Sequence, residues 1–196
     1  MPLGAFKAAL MGTAGVSTEN IVLLHDTDYS NVATASITSG ITSTYGEYIF
    51  KFYNINPATD STDFAFQVNA TDGADYNDSA ITSTWFRVLH DEADSATALA
   101  YLGNGHQAQG TAFQILAREL GNGADESGAG ELHLFNPSST TYAKHFYATM
   151  QIYKQDNYSA NLYAAGYIND TTAIDDIQFK MSSGNFDGTI KMWGVK

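Results

Sequence analysis

His145-Phe146-Tyr147-Ala148-Thr149-Met150-Gln151-Ile152-Tyr153 decides the fold class. Phe146, Ala148, Met150 and Ile152 fall on one side of an extended chain, and His145, Tyr147, Thr149, Gln151 and Tyr153 on the other. Successive side chains of a strand point to opposite faces, so this alternation reads as a half-buried β-strand. A helix would scatter the same apolar residues around its circumference.

The pattern recurs along the chain. Ile21–Leu24 is a short apolar run of strand length. Tyr48, Phe50 and Phe52 share a face, with Ile49, Lys51 and Tyr53 opposite. Phe64, Phe66 and Val68 alternate with Ala65 and Gln67, and Phe86 and Val88 with Trp85, Arg87 and Leu89. Leu132 and Leu134, Leu162 to Ile168, Ile177 to Met181, and Ile190 with Met192 complete about nine predicted strands. The joints carry Asn56-Pro57, Asp72-Gly73, Gly121-Asn122-Gly123 and Asn136-Pro137, which suit turns. Asp91 to Leu102 admits a short helix, and Thr111 to Leu120 reads more readily as strand than as helix. With no long helix competing, the expectation is all-β: an antiparallel β-sandwich, jelly-roll-like, with an N-terminal arm.

Composition narrows the function classes. Charged residues are only 15% of the 196, aromatics 13%, and the net charge is −12. Such an aromatic-rich chain is not disordered. Nine Lys+Arg against 21 Asp+Glu make double-stranded nucleic acid a poor partner. No apolar run is long enough to span a membrane, and the absence of cysteine removes disulfides and thiolate chemistry. Acid concentrates in residues 54–135, where Arg87 and Arg118 are the only bases. Such clusters read first as solvated loops.

Residues 1–16 read as a docking arm and 17–196 as a single sandwich domain. Leu3, Phe6 and Leu10 have helical spacing, with Lys7 and Met11 beside them, but Gly4, Gly12 and Gly15 discourage an isolated helix. Lys7 in mid-segment also breaks the pattern of a secretory signal. Such an arm packs either on its own domain or on a neighbouring subunit.

Candidate chemistry is thin. None of His25, His90, His106, His133 and His145 stands in a recognisable catalytic motif, and no catalytic residue is assigned. Asp72, Asp75 and Asp78 share a loop, but Gly73 directly after the first Asp breaks the calcium-loop spacing, so no metal and no cofactor is assigned. Paired carboxylates of glycosidase type cannot be picked out among 21 acids in exposed contexts. Aromatics on polar strand faces carry more. Tyr147 and Tyr153 share a face with His145 and Gln151, and Tyr163 and Tyr167 share one on the next strand. Exposed tyrosine beside polar groups serves a subunit interface or sugar stacking, and a second core layer is the structural alternative.

The stretch Ile177 to Val195 contains Ser183-Gly184-Asn185, Gly188-Thr189-Ile190 and the closing Trp193-Gly194-Val195. It resembles the last hairpin of small structural proteins of tailed bacteriophages, marine ones especially. Met1 to Gly12, Tyr45 to Phe52 and Gly130 to Ser139 are similar to the same group, so the resemblance touches both ends and the middle. Read physically, the last stretch is a closing hairpin turned at Gly184-Asn185 and Asp187-Gly188.

What the resemblance implies is a non-enzymatic virion protein, assembled in the host cytoplasm and displayed on the particle. It would be a tail-fibre or receptor-binding component anchored by its arm, or else a capsid decoration protein. A free carbohydrate-binding module is the third reading. Partners would be other tail or capsid proteins, a homotrimer by analogy, and a host surface glycan or protein.

Overall fold

The computed structural model describes residues 20–70 and 75–196. The arm residues Leu3, Phe6, Lys7, Leu10 and Met11, and Asp72 of the acidic loop, lie outside them.

The described residues form twelve strands: β1 (Ile21–Val32), β2 (Thr34–Ile37), β3 (Glu47–Pro57), β4 (Thr62–Ala70), β5 (Ile81–Asp91), β6 (Thr97–Tyr101), β7 (Gln114–Leu120), β8 (Gly128–Phe135), β9 (Lys144–Lys154), β10 (Tyr158–Ile168), β11 (Ile174–Met181) and β12 (Phe186–Val195). All the pairings are antiparallel. Eight strands make a large sheet in the order β1-β12-β3-β8-β9-β10-β5-β6. Four make a small one, β2-β11-β4-β7. The two meet at a single pair, Leu120 on β7 with Lys154 on β9.

The apolar half of each alternating strand faces the other layer. Phe50 and Phe52 on β3 meet Phe179 on β11, with centroids 5.6 and 5.2 Å apart. Phe64 on β4 packs edge-on against Phe52 and Phe186, and Phe66 against Phe146 on β9. Each such ring, fully buried, contributes about 1.5–3 kcal/mol from area, with the edge contacts adding to it. This is an all-β antiparallel sandwich with a jelly-roll-like course. The buried phenol of Tyr48 is satisfied locally: its O–H donates to the C=O of Thr42 at 2.8 Å and accepts the Thr42 N–H at 2.6 Å.

Several local expectations change. Twelve strands replace nine, and the Ile21–Leu24 run continues to Val32. The segment that admitted a short helix is an Asp91-capped turn leading into β6. Asp91 Oδ1 accepts the N–H groups of Ser95 and Ala96 at 2.9 and 2.8 Å, and Oδ2 accepts the Ser95 hydroxyl at 2.5 Å. The hydroxyl and those amides hold the Asp91 carboxyl below the usual carboxylate range.

The closing hairpin is the main correction. β11 pairs with β4 and β2, whereas β12 pairs with β1 and β3, so residues 182–185 carry the chain from one layer to the other. Gly184 does take a positive φ of 73°. Turn residues between two alternating segments suit a hairpin or a crossover equally well. Pairing partners more than a hundred residues away decide between them. Gly188, at φ 145°, is not in a turn; it sits inside β12 where the register with β3 shifts.

Candidate functional site

The outward half of β8, β9, β10, β5 and β6 forms one continuous face, and the four sequence-selected tyrosines all stand on it. Across β9 and β10, Tyr147 lies opposite Ala165, Tyr163 opposite Thr149, Tyr167 opposite His145, and Tyr153 opposite Ser159. The register brings Tyr147 and Tyr163 into one diagonal neighbourhood. Tyr153 stands six residues along β9 from Tyr147, about 20 Å away. Tyr147 and Tyr163 stay 44% and 37% exposed despite their neighbours.

Each of these two anchors a stack. Tyr147 lies almost flat on His133 of β8, centroids 4.4 Å apart, with Phe135 at 5.8 Å. Tyr163 lies flat on Phe86 of β5 at 4.8 Å. Beyond Phe86, across β5 and β6, Tyr101 pairs with Phe86 and Leu99 with Val88. His145 meets Tyr167 at 6.3 Å in a tilted arrangement. Sequence reasoning named the tyrosines and missed Phe86, Val88, Leu99 and Phe135. Their alternation is visible, but which half faces water is fixed only by where the second layer lies.

His133 is buried, held between carboxylates: Nδ1 is 2.6 Å from Glu47 Oε1 and Nε2 3.4 Å from Glu131 Oε1. Glu131 also pairs with Lys51 at 3.5 Å. Tyr153 donates its hydroxyl to Glu92 at 2.8 Å, and this hydrogen bond pushes the phenol up from its ordinary value. Burial pushes the Tyr147 phenol up, with Glu47 and Glu131 adding to it. These tyrosines are therefore neutral donors at any physiological pH.

Hollows flank the aromatic ridge. One of about 490 Å³ lies beside Tyr153, between Glu92, Gln151 and Ser159. It adjoins one of about 340 Å³ walled by Lys51, Tyr53 and Glu131, and the exposed Ala129 lies on the lining of both. At the other end, about 660 Å³ opens among Tyr45, Asn136, Ser139, Tyr142 and His145. Aromatic faces beside hydrogen-bonding side chains, with Glu92, Lys51 and Glu131 among them, suit recognition of a polar surface.

A charged cluster lies elsewhere, where β7 meets β9. Glu119 Oε2 accepts from Arg87 at 2.7 Å and stands 3.4 Å from Lys154 Nζ. Burial alone would raise the Glu119 carboxyl, but the Arg87 hydrogen bond and the charges of Arg87, Lys154 and Arg118 hold it below the usual range. Asp63 Oδ1 accepts the Glu119 N–H at 3.0 Å, and burial pushes its own carboxyl up. Glu119 has a positive φ of 60°. The cluster braces that irregular backbone and opens onto none of the hollows above. Among the described residues, no group of three or more His, Asp or Glu side chains is arranged to hold a metal ion.

No protein-family profile matches this chain, and no curated protein matches its sequence. A solved structure, the galectin LEC-6 of Caenorhabditis elegans, is similar over 91% of this chain and 99% of its own, at 9% identity and a TM-score of 0.33. At that score the likeness carries no argument about what this chain binds.

Proposed function

We propose that this chain is a non-enzymatic bacteriophage virion protein displayed on the particle surface, a tail-fibre or receptor-binding component held by residues 1–16. The observation that carries the recognition part is the solvent-facing aromatic array of the large sheet, with Tyr147 on His133 and Tyr163 on Phe86. Soluble proteins leave few such contiguous apolar surfaces uncovered unless they are used. The virion part is supported by the resemblance of both chain ends and of the Gly130–Ser139 segment to phage structural proteins.

Capsid decoration is the second reading, and the acid-rich stretch 54–135 favours it. A receptor binder of net charge −12 meets repulsion at an anionic cell envelope, whereas a decoration protein does not need to approach one.

The test is the copy number of the chain in purified particles, measured against the major capsid protein. A small number per particle supports the tail role, and a simple fraction of the capsid subunits supports decoration. Absence from particles overturns both and favours a free carbohydrate-binding module, which a glycan array then tests.

A further inference from the structure

Among the described residues, β6 closes the large sheet with a bare edge. Thr97-Ala98-Leu99-Ala100-Tyr101 pairs with β5, and among the described residues no strand lies on its other side. The direction of its free backbone groups follows from the hairpin. Asp91 N–H donates to Ala96 C=O at 3.1 Å. Hydrogen-bonded and non-hydrogen-bonded pairs alternate along an antiparallel ladder, so the next bonded pairs are Leu89 with Ala98 and Arg87 with Ala100. The N–H and C=O groups of Thr97, Leu99 and Tyr101 therefore point away from the sheet.

Exposed edges are ordinarily blunted by charge, proline, a bulge or shortness. The opposite edge, β1, carries Asp26 and Asp28 and shifts register twice against β12. β2, at the edge of the small sheet, has only four residues. β6 is short as well, at five residues, but it carries no charge, proline or bulge: its ladder with β5 is unbroken, and Leu99 and Tyr101 are 73% and 57% exposed. Val88 and Phe86 of β5 extend the apolar surface on the same side.

We propose that β6 is a self-association edge: two copies of this chain pair β6 to β6, antiparallel, about a twofold axis between their Leu99 residues. Two eight-stranded sheets then become one.

The occupant is a second copy because the strand is uncharged and, paired antiparallel with itself, keeps the flanking acidic turns of the two copies apart. Antiparallel pairing sets Leu99 on Leu99, Ala98 on Ala100, and Thr97 on Tyr101, as a twofold interface requires. The outward backbone groups belong to Thr97, Leu99 and Tyr101, so the same register yields about six inter-strand hydrogen bonds. It also directs the acidic turn Glu92–Asp94 of one copy toward the Asn104–His106 loop of the other, away from its own acidic counterpart. The pairing does not depend on the particle reading, and it is twofold where the phage analogy suggests three.

The experiment is light scattering on the full chain across about 10–200 μM, a range that spans a micromolar edge contact. The expected mass at the top of the range is twice the 21.1 kDa of one chain. Leu99→Lys, which sets two ammonium groups side by side, is expected to weaken dimerisation about tenfold or more without lowering the melting temperature measured at a concentration where both chains are monomers. A monomer throughout, a trimer, or a dimer that survives Leu99→Lys overturns the proposal.

Cross-linking gives a second readout, because the chain has no cysteine of its own. Opposed hydrogen-bonded residues have Cα atoms about 5.5 Å apart, within disulfide range. Mild oxidation is expected to join Leu99→Cys chains into covalent dimers while leaving Tyr142→Cys chains, altered in the β8–β9 loop at an equally exposed position, as monomers. Equal cross-linking of the two variants also overturns it.

Discussion

Phe86 on β5 and Tyr163 on β10 lie face to face on the outside of the large sheet, centroids 4.8 Å apart and 14° from parallel. They are directly opposed in the ladder, so the strand register itself makes the stack. Neither ring reaches the interlayer core. The pair therefore contributes modestly to stability while presenting a rigid apolar surface to whatever approaches.

Replacing both rings by alanine is accordingly expected to cost about 1 kcal/mol or less of folding stability. Adding Tyr147→Ala is expected to lower attachment to particles or host cells well beyond that. Thermal melting paired with a particle-binding or cell-binding assay checks the separation. Unchanged attachment in the triple variant would remove this face from recognition.

Gly188→Val is expected to destabilise the chain by about 2–4 kcal/mol, read as a drop in the denaturant midpoint. At φ 145° a side chain is strained, and a Cβ would stand 2.7 Å from Ile55 Cδ1 and 3.1 Å from Asn54 O. Asp187→Ala adds a smaller loss, since its Oδ1 accepts the Asn31 N–H at 2.8 Å.

Acid should weaken the joint between the layers. The folded Glu119 carboxyl titrates below its unfolded value, so its contribution is complete above about pH 5 and is lost as the pH falls through the unfolded and then the folded pKa. Glu119→Gln is expected to cost about 1–2 kcal/mol at pH 7 and to flatten the melting curve's dependence on pH between about 5 and 3.

Asp63 has the opposite sign. Its folded pKa is raised, so it favours the fold below its unfolded pKa of about 3.9, and that benefit is lost as the pH rises through the folded value. Asp63→Asn keeps an acceptor for the Glu119 N–H and drops the penalised charge. Its melting temperature is expected to equal or exceed the parent's at pH 7, with the advantage shrinking as the pH falls through the folded value and gone below about pH 4. A drop at pH 7 would show that attraction to Arg118 and Arg87 outweighs burial.

Deleting residues 2–15 is expected to leave a domain that melts cooperatively within a few degrees of the full chain and no longer joins particles. The buried cluster from Ala35 to Met192 draws on the two described layers. Loss of cooperative melting would make the arm part of the core instead.

The strands were legible wherever one face is wet and the other dry. Phe146 to Ile152 is the clearest example, and the outward placement of Tyr147, Tyr153, Tyr163 and Tyr167 follows from the same alternation. Three things were not legible. β6 looked helix-compatible because Ala98 and Ala100 suit either structure, and the outcome rests on hydrogen bonds from β5 and the Asp91 cap. The crossover at residues 182–185 imitated a hairpin because β12 finds its partners at the far end of the chain. The burial of His133 depends on Tyr147 and Glu47 arriving from other strands, which no local pattern records.

β1 and β12 lie side by side, with Ile21 opposite Val195 and the Lys196 N–H donating to the Asn20 C=O at 3.0 Å. The backbone thus enters and leaves the sandwich at one corner. From there to β6 is seven strand spacings, about 34 Å across an untwisted sheet. The body has a near pole, where any leash through Asn20 must pull, and a far pole held at arm's length from it. A short linker from Lys196 to Asn20 would make a circular permutant whose new ends can be opened at the 92–96 turn, moving the leash to the far pole and reversing which edge faces outward.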